Sequence, residues 1–270
     1  MYIMNSQSHN NREYNEISSI RNELAHNGFL VVREIFPKEL MTQFYHEFEN
    51  MWDFPPSQCR IEVENNRKDG MTLSEAKKLN LRQCHYRIVN SDLFLPSVQL
   101  MVNHAKIRSL FLKLFGYPPI FCQSLTFEWP TEQSIHQDWC FVDTCGPNVQ
   151  NMVAVWIACD KIDSDNGPLL YYPGSHVIPR YDYKDTTSAG FGPYLEDQMV
   201  SKKLSSELFF ADPGDILLWD GDLVHGGSTA FDKEKRRLSL VFHYTFHTSH
   251  RMNMHTRIHE LKKYMKKILR

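Results

Sequence analysis

No run of apolar residues in this 270-residue chain reaches the roughly 18 needed to cross a bilayer as a helix. The opening "MYIMNSQSHNNREYNE" is polar and has no apolar stretch of the kind a secretory leader carries. The six cysteines (59, 84, 122, 140, 145 and 159) include no CxxC pair, which disfavours a zinc ribbon; reduced thiols in a cytoplasmic protein are the expectation. Charge of one sign is also missing. Thirty basic residues against 32 acidic give a net charge of −2, so no global positive field invites nucleic acid. Internal repeats, low-complexity tracts and linkers are absent. The expectation is a protein with neither membrane nor nucleic-acid partner and with a small molecule as its ligand, acting as a monomer or homodimer.

What is present reads as one domain over 1–270, in three stretches. Residues 1–118 are expected to be mainly helical. "PKELMTQFYHEFENMWDF" repeats Leu40, Phe44 and Phe48 at helical spacing, and "SVQLMVNHAKIRSLFLKLFG" reads as one amphipathic helix closed by Gly116. One early strand, "FLVVRE", interrupts them, and 55–80 reads as polar loop. From about 119 to 247 the texture changes to short β-type runs separated by turn signals, with 177–206 as a loop-rich insertion. Strands in succession without helices between them predict an antiparallel sandwich or jelly roll. The tail 256–270 predicts a basic helix with a solvated lysine face.

Within the β region, "SIHQDW" places His136 and Asp138 two apart. In an extended segment they project from the same face, an imidazole beside a carboxylate. His225, after the β run "DILLWD" and its Gly-rich turn, is the candidate third ligand. Two histidines and one carboxylate on one face suit a non-haem Fe(II) site, and zinc accepts the same set. Eleven positions later, Arg236 opens "RRLSLVFHY" on the face shared by Leu238, Leu240 and Phe242. A guanidinium leading an apolar face needs an anion, and its planar fork matches a carboxylate such as that of 2-oxoglutarate. Arg237 is the rival, directed away by the same alternation. His176 is expected to serve a turn, and His243 and His247 to be core or surface residues. Trp139 and Phe141 are divided evenly between packing and the substrate pocket.

Four blocks in order resemble the phytanoyl-CoA hydroxylase family of Fe(II)/2-oxoglutarate dioxygenases, which also contains ectoine hydroxylase. They are "NGFLVVREIFPKEL", "QSLTFEWPTEQSIHQDW" with its HxD, "VAVWIACDKIDSDNGPLLYYPGSH", and "PGDILLWDGDLVHGGS" with the following arginines. The resemblance implies a mainly β fold with flanking helices, a double-stranded β-helix of the jelly-roll or cupin type. It implies Fe(2+), 2-oxoglutarate and O2, with ascorbate supportive. It makes His136, Asp138 and His225 the metal ligands and catalytic centre. It gives Arg236, Trp156 and Gln123 to the co-substrate. The family's serine two residues after the distal histidine is Gly227 here; Ser228, one later, takes that role or the contact is absent. One of Arg82, His85 and Arg87 is a candidate for contact with a substrate. The implied activity is C–H oxidation of a small metabolite, with secondary metabolism as a setting and with succinate and CO2 released. Aspartate at 138 argues for hydroxylation or a related oxidation and against halogenation. Two other readings stay open on the residues: a non-catalytic ligand-binding protein on the same fold, and a zinc-dependent hydrolase.

Overall fold

A computed structural model of the protein describes residues 6–63, 70–139, 152–181 and 190–245, with residues 6–15 in backbone only. The predicted tail helix, Phe141, His247 and the later histidines lie outside the described residues. None of the described helices is long and apolar enough to cross a membrane.

The described strands are β1 (Phe29–Val32), β2 (Arg60–Val63), β3 (Met71–Thr72), β4 (Tyr86–Val89), β5 (Ile120–Phe127), β6 (Met152–Ala158), β7 (Leu169–Tyr171), β8 (Glu207–Phe209), β9 (Ile216–Asp220), β10 (His225–Gly227) and β11 (Ser239–Thr245). Eight of them form one sheet in the order β1-β9-β6-β11-β5-β4-β2-β3, and β10-β7-β8 form a smaller one; the ladders are antiparallel. This is the jelly roll the strand pattern predicts.

Helices cover one face of the large sheet. They are α1 (Ser6–Asn27), α2 (Lys38–Asp53), α3 (Leu73–Lys78), α4 (Pro96–Val102) and α5 (Ala105–Phe115); α6 (Phe191–Ser201) packs apart from them, against Ile178, Tyr181 and Val224. Phe44 and Phe48 of α2 and Phe111 of α5 pack in one core with Leu238, Leu240, Phe242 and Tyr244. The other face meets the small sheet, where Trp156, Trp219 and Val241 pack with Leu169, Tyr171 and Phe209. Every residue of β6 and β11 is buried, so these central strands have no solvent-facing side.

Several local expectations need correcting. The single helix read over 97–116 is two, because His104 is extended (φ −62°, ψ 136°) and restarts the helix at Ala105. Residues 55–80 contain β2, β3 and α3, the last opened by a capping box in which Thr72 and Glu75 satisfy each other's backbone N–H groups. The insertion 177–206 contains α6. The helical stretch 1–118 supplies four strands to the large sheet, so 118 is no boundary within the β core.

Candidate metal centre

The HxD segment is not a regular strand. His136 and His225 face each other across an isolated antiparallel bridge, each backbone N–H donating to the other's carbonyl at 2.8 and 3.0 Å. This bridge ties the segment before β6 to the start of β10. Each imidazole Nδ1 lies on a backbone carbonyl, His136 on Ser134 at 2.9 Å and His225 on Leu223 at 3.0 Å. A carbonyl only accepts, so Nδ1 carries the proton and Nε2 presents its lone pair. Both Nε2 atoms face Asp138, at 3.8 Å from Oδ1 for His136 and 3.6 Å from Oδ2 for His225. One donor atom from each of the three residues lies within 4.8 Å of the others. Bonds of about 2.0–2.2 Å to one ion put adjacent donors roughly 3–4 Å apart, so the set fits a metal after small adjustments.

Asp138 is held from two further sides. Trp219 Nε1 donates to Oδ2 at 3.0 Å. His243 Nε2 lies 3.5 Å from the same oxygen, while its Nδ1 is 3.0 Å from the Gln123 amide nitrogen. That amide donates, so the His243 proton sits on Nε2 and points at the carboxylate. His243 therefore orients Asp138; it is a buried part of the site and not a core or surface residue. Burial alone would raise the Asp138 carboxyl, but His225, the His243 hydrogen bond and charge, and His136 together hold it well below the usual carboxylate range.

The triad opens onto a cavity of 340 Å³ between the sheets, also walled by Gln123, Trp156 and Arg237. Arg236 lies elsewhere. Its guanidinium makes two hydrogen bonds to Asp160, at 2.9 and 3.0 Å, and one to Glu49 at 3.0 Å, and sits 4.6 Å from the Tyr45 ring centre. Arg237, not Arg236, lines the cavity. It is 3% exposed, its Nη1 donates to the Gly167 carbonyl at 2.8 Å, and its guanidinium lies 5.7 Å from the Trp156 ring centre. Its Nε has no hydrogen-bond partner among the described residues, and burial brings the group down to about 10. The strand alternation was sound, but the apolar face carrying Leu238, Leu240 and Phe242 packs against the helices. The site face carries Arg237, Val241 and His243.

Ser228 also falls outside the cavity wall, its hydroxyl donating to the Pro168 carbonyl at 2.7 Å, while Gly227 lines the cavity. Trp156 and Gln123 both line the cavity. Arg82 is not near the cavity; it bridges Glu49 and Glu128, and Tyr86 donates to Glu128 behind it. Arg87 does reach the cavity, paired with Glu62. Trp139 packs beneath Arg180, 4.7 Å from its guanidinium, and His176 Nε2 lies 3.1 Å from the Ala25 carbonyl, in a turn as expected. Sequence reasoning missed Arg180 and Asp222, a buried pair at 2.6 and 2.9 Å. The Asp222 carbonyl also accepts from Gln137, which ties the HxD segment to the loop before His225.

The family model for phytanoyl-CoA dioxygenase matches residues 24–237. The protein belongs to the phytanoyl-CoA dioxygenase family. Phytanoyl-CoA dioxygenase domain-containing protein 1 of Danio rerio is 26% identical over 159 residues, which is 56% of this sequence and 52% of that protein. The alignment thus spans about half the length of this family relative. Among solved structures, EctD from S. alaskensis with bound Fe has a TM-score of 0.64 at 16% identity, covering 83% of this protein and 75% of that one. SnoN, a non-heme alpha ketoglutarate dependent epimerase from nogalamycin biosynthesis, has a TM-score of 0.62 at 14% identity, covering 86% and 81%. These likenesses show the family fold in this protein.

Proposed function

We propose that this protein is a non-haem Fe(II)- and 2-oxoglutarate-dependent dioxygenase that oxidises a C–H bond of a small-molecule metabolite. The observation that carries the reading is Arg237: a buried guanidinium with no carboxylate partner among the described residues, in the same cavity as a His/His/Asp set. Such a group calls for an anion, and a dicarboxylate that also chelates the metal supplies one.

Iron, when bound, supplies O2 activation coupled to the oxidative decarboxylation of 2-oxoglutarate to succinate and CO2. The protein's part is positioning. His136, Asp138 and His225 would hold the metal from one side and leave its other side open to the cavity. Trp219 and His243 fix the carboxylate's orientation. Arg237 would take the far carboxylate of 2-oxoglutarate, with Trp156 beneath it. Leu125, Leu169 and Val241 give the cavity apolar walls that limit water. Asp138 fills the position a halide would need, which favours hydroxylation or a related oxidation. The likeness to SnoN, from nogalamycin biosynthesis, is the ground for a setting in secondary metabolism.

The test is succinate release by the purified protein with Fe(II), ascorbate, 2-oxoglutarate and a metabolite library. Iron-dependent succinate, raised by a subset of compounds, is expected. A protein that retains iron yet never consumes 2-oxoglutarate would contradict the reading.

A further inference from the structure

The donor atoms of the metal set come from two segments, His136 and Asp138 from one and His225 from the other. Gln137 stands between the first two and is fully buried. Its Nε2 donates to the Asp222 carbonyl at 2.5 Å, and its Oε1 accepts from Trp139 Nε1 at 2.9 Å. The backbone N–H of Trp139 donates to the Gly221 carbonyl at 3.1 Å. The HxD segment is thus attached to the turn after β9 at two successive residues. The next carbonyl along, that of Leu223, takes the Nδ1 proton of His225 at 3.0 Å. A shift of Asp222 therefore turns the His225 ring.

Arg180 closes this arrangement from a third segment. Its guanidinium meets the Asp222 carboxylate with two parallel hydrogen bonds, Nε at 2.6 Å and Nη2 at 2.9 Å, and both side groups are buried. It also lies over the Trp139 ring, 4.7 Å from its centre. The same stretch grips Val224: the Tyr172 N–H donates to its carbonyl at 3.0 Å, and its own N–H donates to the Ser175 hydroxyl at 2.8 Å. One guanidinium thus touches both ligand-bearing segments, at Trp139 beside Asp138 and at Asp222 ahead of His225. If only cohesion were needed, apolar side groups of the same volume would serve as well as a buried ion pair. A planar fork adds direction, which fixes angle as well as distance.

We propose that Arg180 is a positioning residue of the metal centre: its grip on Asp222 and its place over Trp139 set the spacing between the His136–Asp138 pair and His225. The proposal rests on the metal-site part of the dioxygenase reading and gives that site a support outside the cavity wall. A ligand set works only when its donors are held within about 0.5 Å and 10–20° of the bonding geometry. Gln137 joins the first two ligands to Asp222, Asp222 leads into the turn that orients His225, and Arg180 fixes Asp222. Without the guanidinium, the Asp222 carboxylate is a buried charge in need of another donor. The turn should move to find one and carry the Leu223 carbonyl with it.

The test titrates the full-length protein with Fe(II) in the absence of air, and with Co(II), whose visible absorption reports the arrangement of its donors. Arg180→Met should weaken binding of both ions about 10–100-fold and alter the Co(II) spectrum. Arg180→Lys, which keeps the charge without the fork, should recover part of the affinity. Arg82→Met cuts the Glu49 and Glu128 bridges, away from the ligands, and separates positioning from general stability. It should lower the melting point and leave Fe(II) affinity unchanged. If Arg180→Met does not fold, Arg180→Lys decides, with an expected loss of at least about threefold. Wild-type affinity and an unaltered Co(II) spectrum in the deciding variant would overturn the proposal, as would an equal loss of affinity in Arg82→Met. A wild-type protein that binds neither ion fails at the metal reading and takes this proposal with it. One that binds both, and whose Arg180 variants bind them equally well, fails here alone.

Discussion

Asp138 is met by four side groups: those of His136, His225, Trp219 and His243. Replacing it with Gly should abolish both iron retention and succinate formation, because a carboxylate ligand and the hub of these contacts go together. Iron titration of the purified variant is the check; wild-type affinity would show that Asp138 is no ligand. His243 has the subtler role of turning the carboxylate. His243→Leu should weaken iron binding about 10–100-fold, the usual cost of losing a hydrogen-bond partner of a ligand. His243→Gln, which keeps a donor, should restore part. Alternation pointed to His136 and Asp138 as a pair, and only His225 and the family resemblance made the pair a metal set; the segment itself forms a single bridge at His136, with Asp138 in a turn. His243 was not legible, since a histidine among aromatics in a strand looks the same whether it faces a core or a carboxylate.

At the level of elements, β11 shows where pattern reading meets its limit. Both faces of this strand are buried, so an apolar row says nothing about which layer it faces. The helix-side row resembles a pocket wall in sequence and carries Arg236 to an ion cluster with Asp160 and Glu49. Parity fixes which residues travel together and leaves their destination open. In the small sheet, β10 is held by close packing of backbone. A Cβ added to Gly227 would lie 2.9 Å from the backbone nitrogens of Gln133 and Glu132. Gly227→Ala should therefore push β10 off the 132–136 segment that carries His136. We expect a loss of about 1–3 kcal/mol, a melting point several degrees lower, and weaker iron binding. Thermal unfolding with and without iron measures both.

For the whole molecule, the jelly roll and its flanking helices were legible because turn signals and apolar runs recur throughout the second half of the sequence. Of the early strands, β1 was legible in "FLVVRE", while β2 and β3 were hidden, as strands of two to four residues in a polar stretch lack a period long enough to read. Stability should carry a pH signature from Asp220. Burial, reinforced by the nearby Asp222 charge, raises its carboxyl to about 6, against an ordinary 3.8. The folded protein thus keeps this proton to higher pH than the unfolded one does. The associated stability is complete below about pH 4 and is lost as pH rises through about 6. Asp220→Asn should stabilise the protein near pH 7 by on the order of 1–3 kcal/mol and change little near pH 4. Melting curves at the two values decide it, and equal shifts at both would contradict the assignment.

The central claim joins the metal set to a dicarboxylate through one arginine, and 2-oxoglutarate saturation of succinate release tests it most directly. Removing one member of a buried charge pair costs about 3–5 kcal/mol, much of it from stranding the other charge. Arg237→Ala should therefore raise the Michaelis constant for 2-oxoglutarate at least about 100-fold. Arg236→Ala, whose partners are Asp160 and Glu49, should change that constant by less than about threefold. The reverse order, with Arg236 severe and Arg237 mild, would contradict the account.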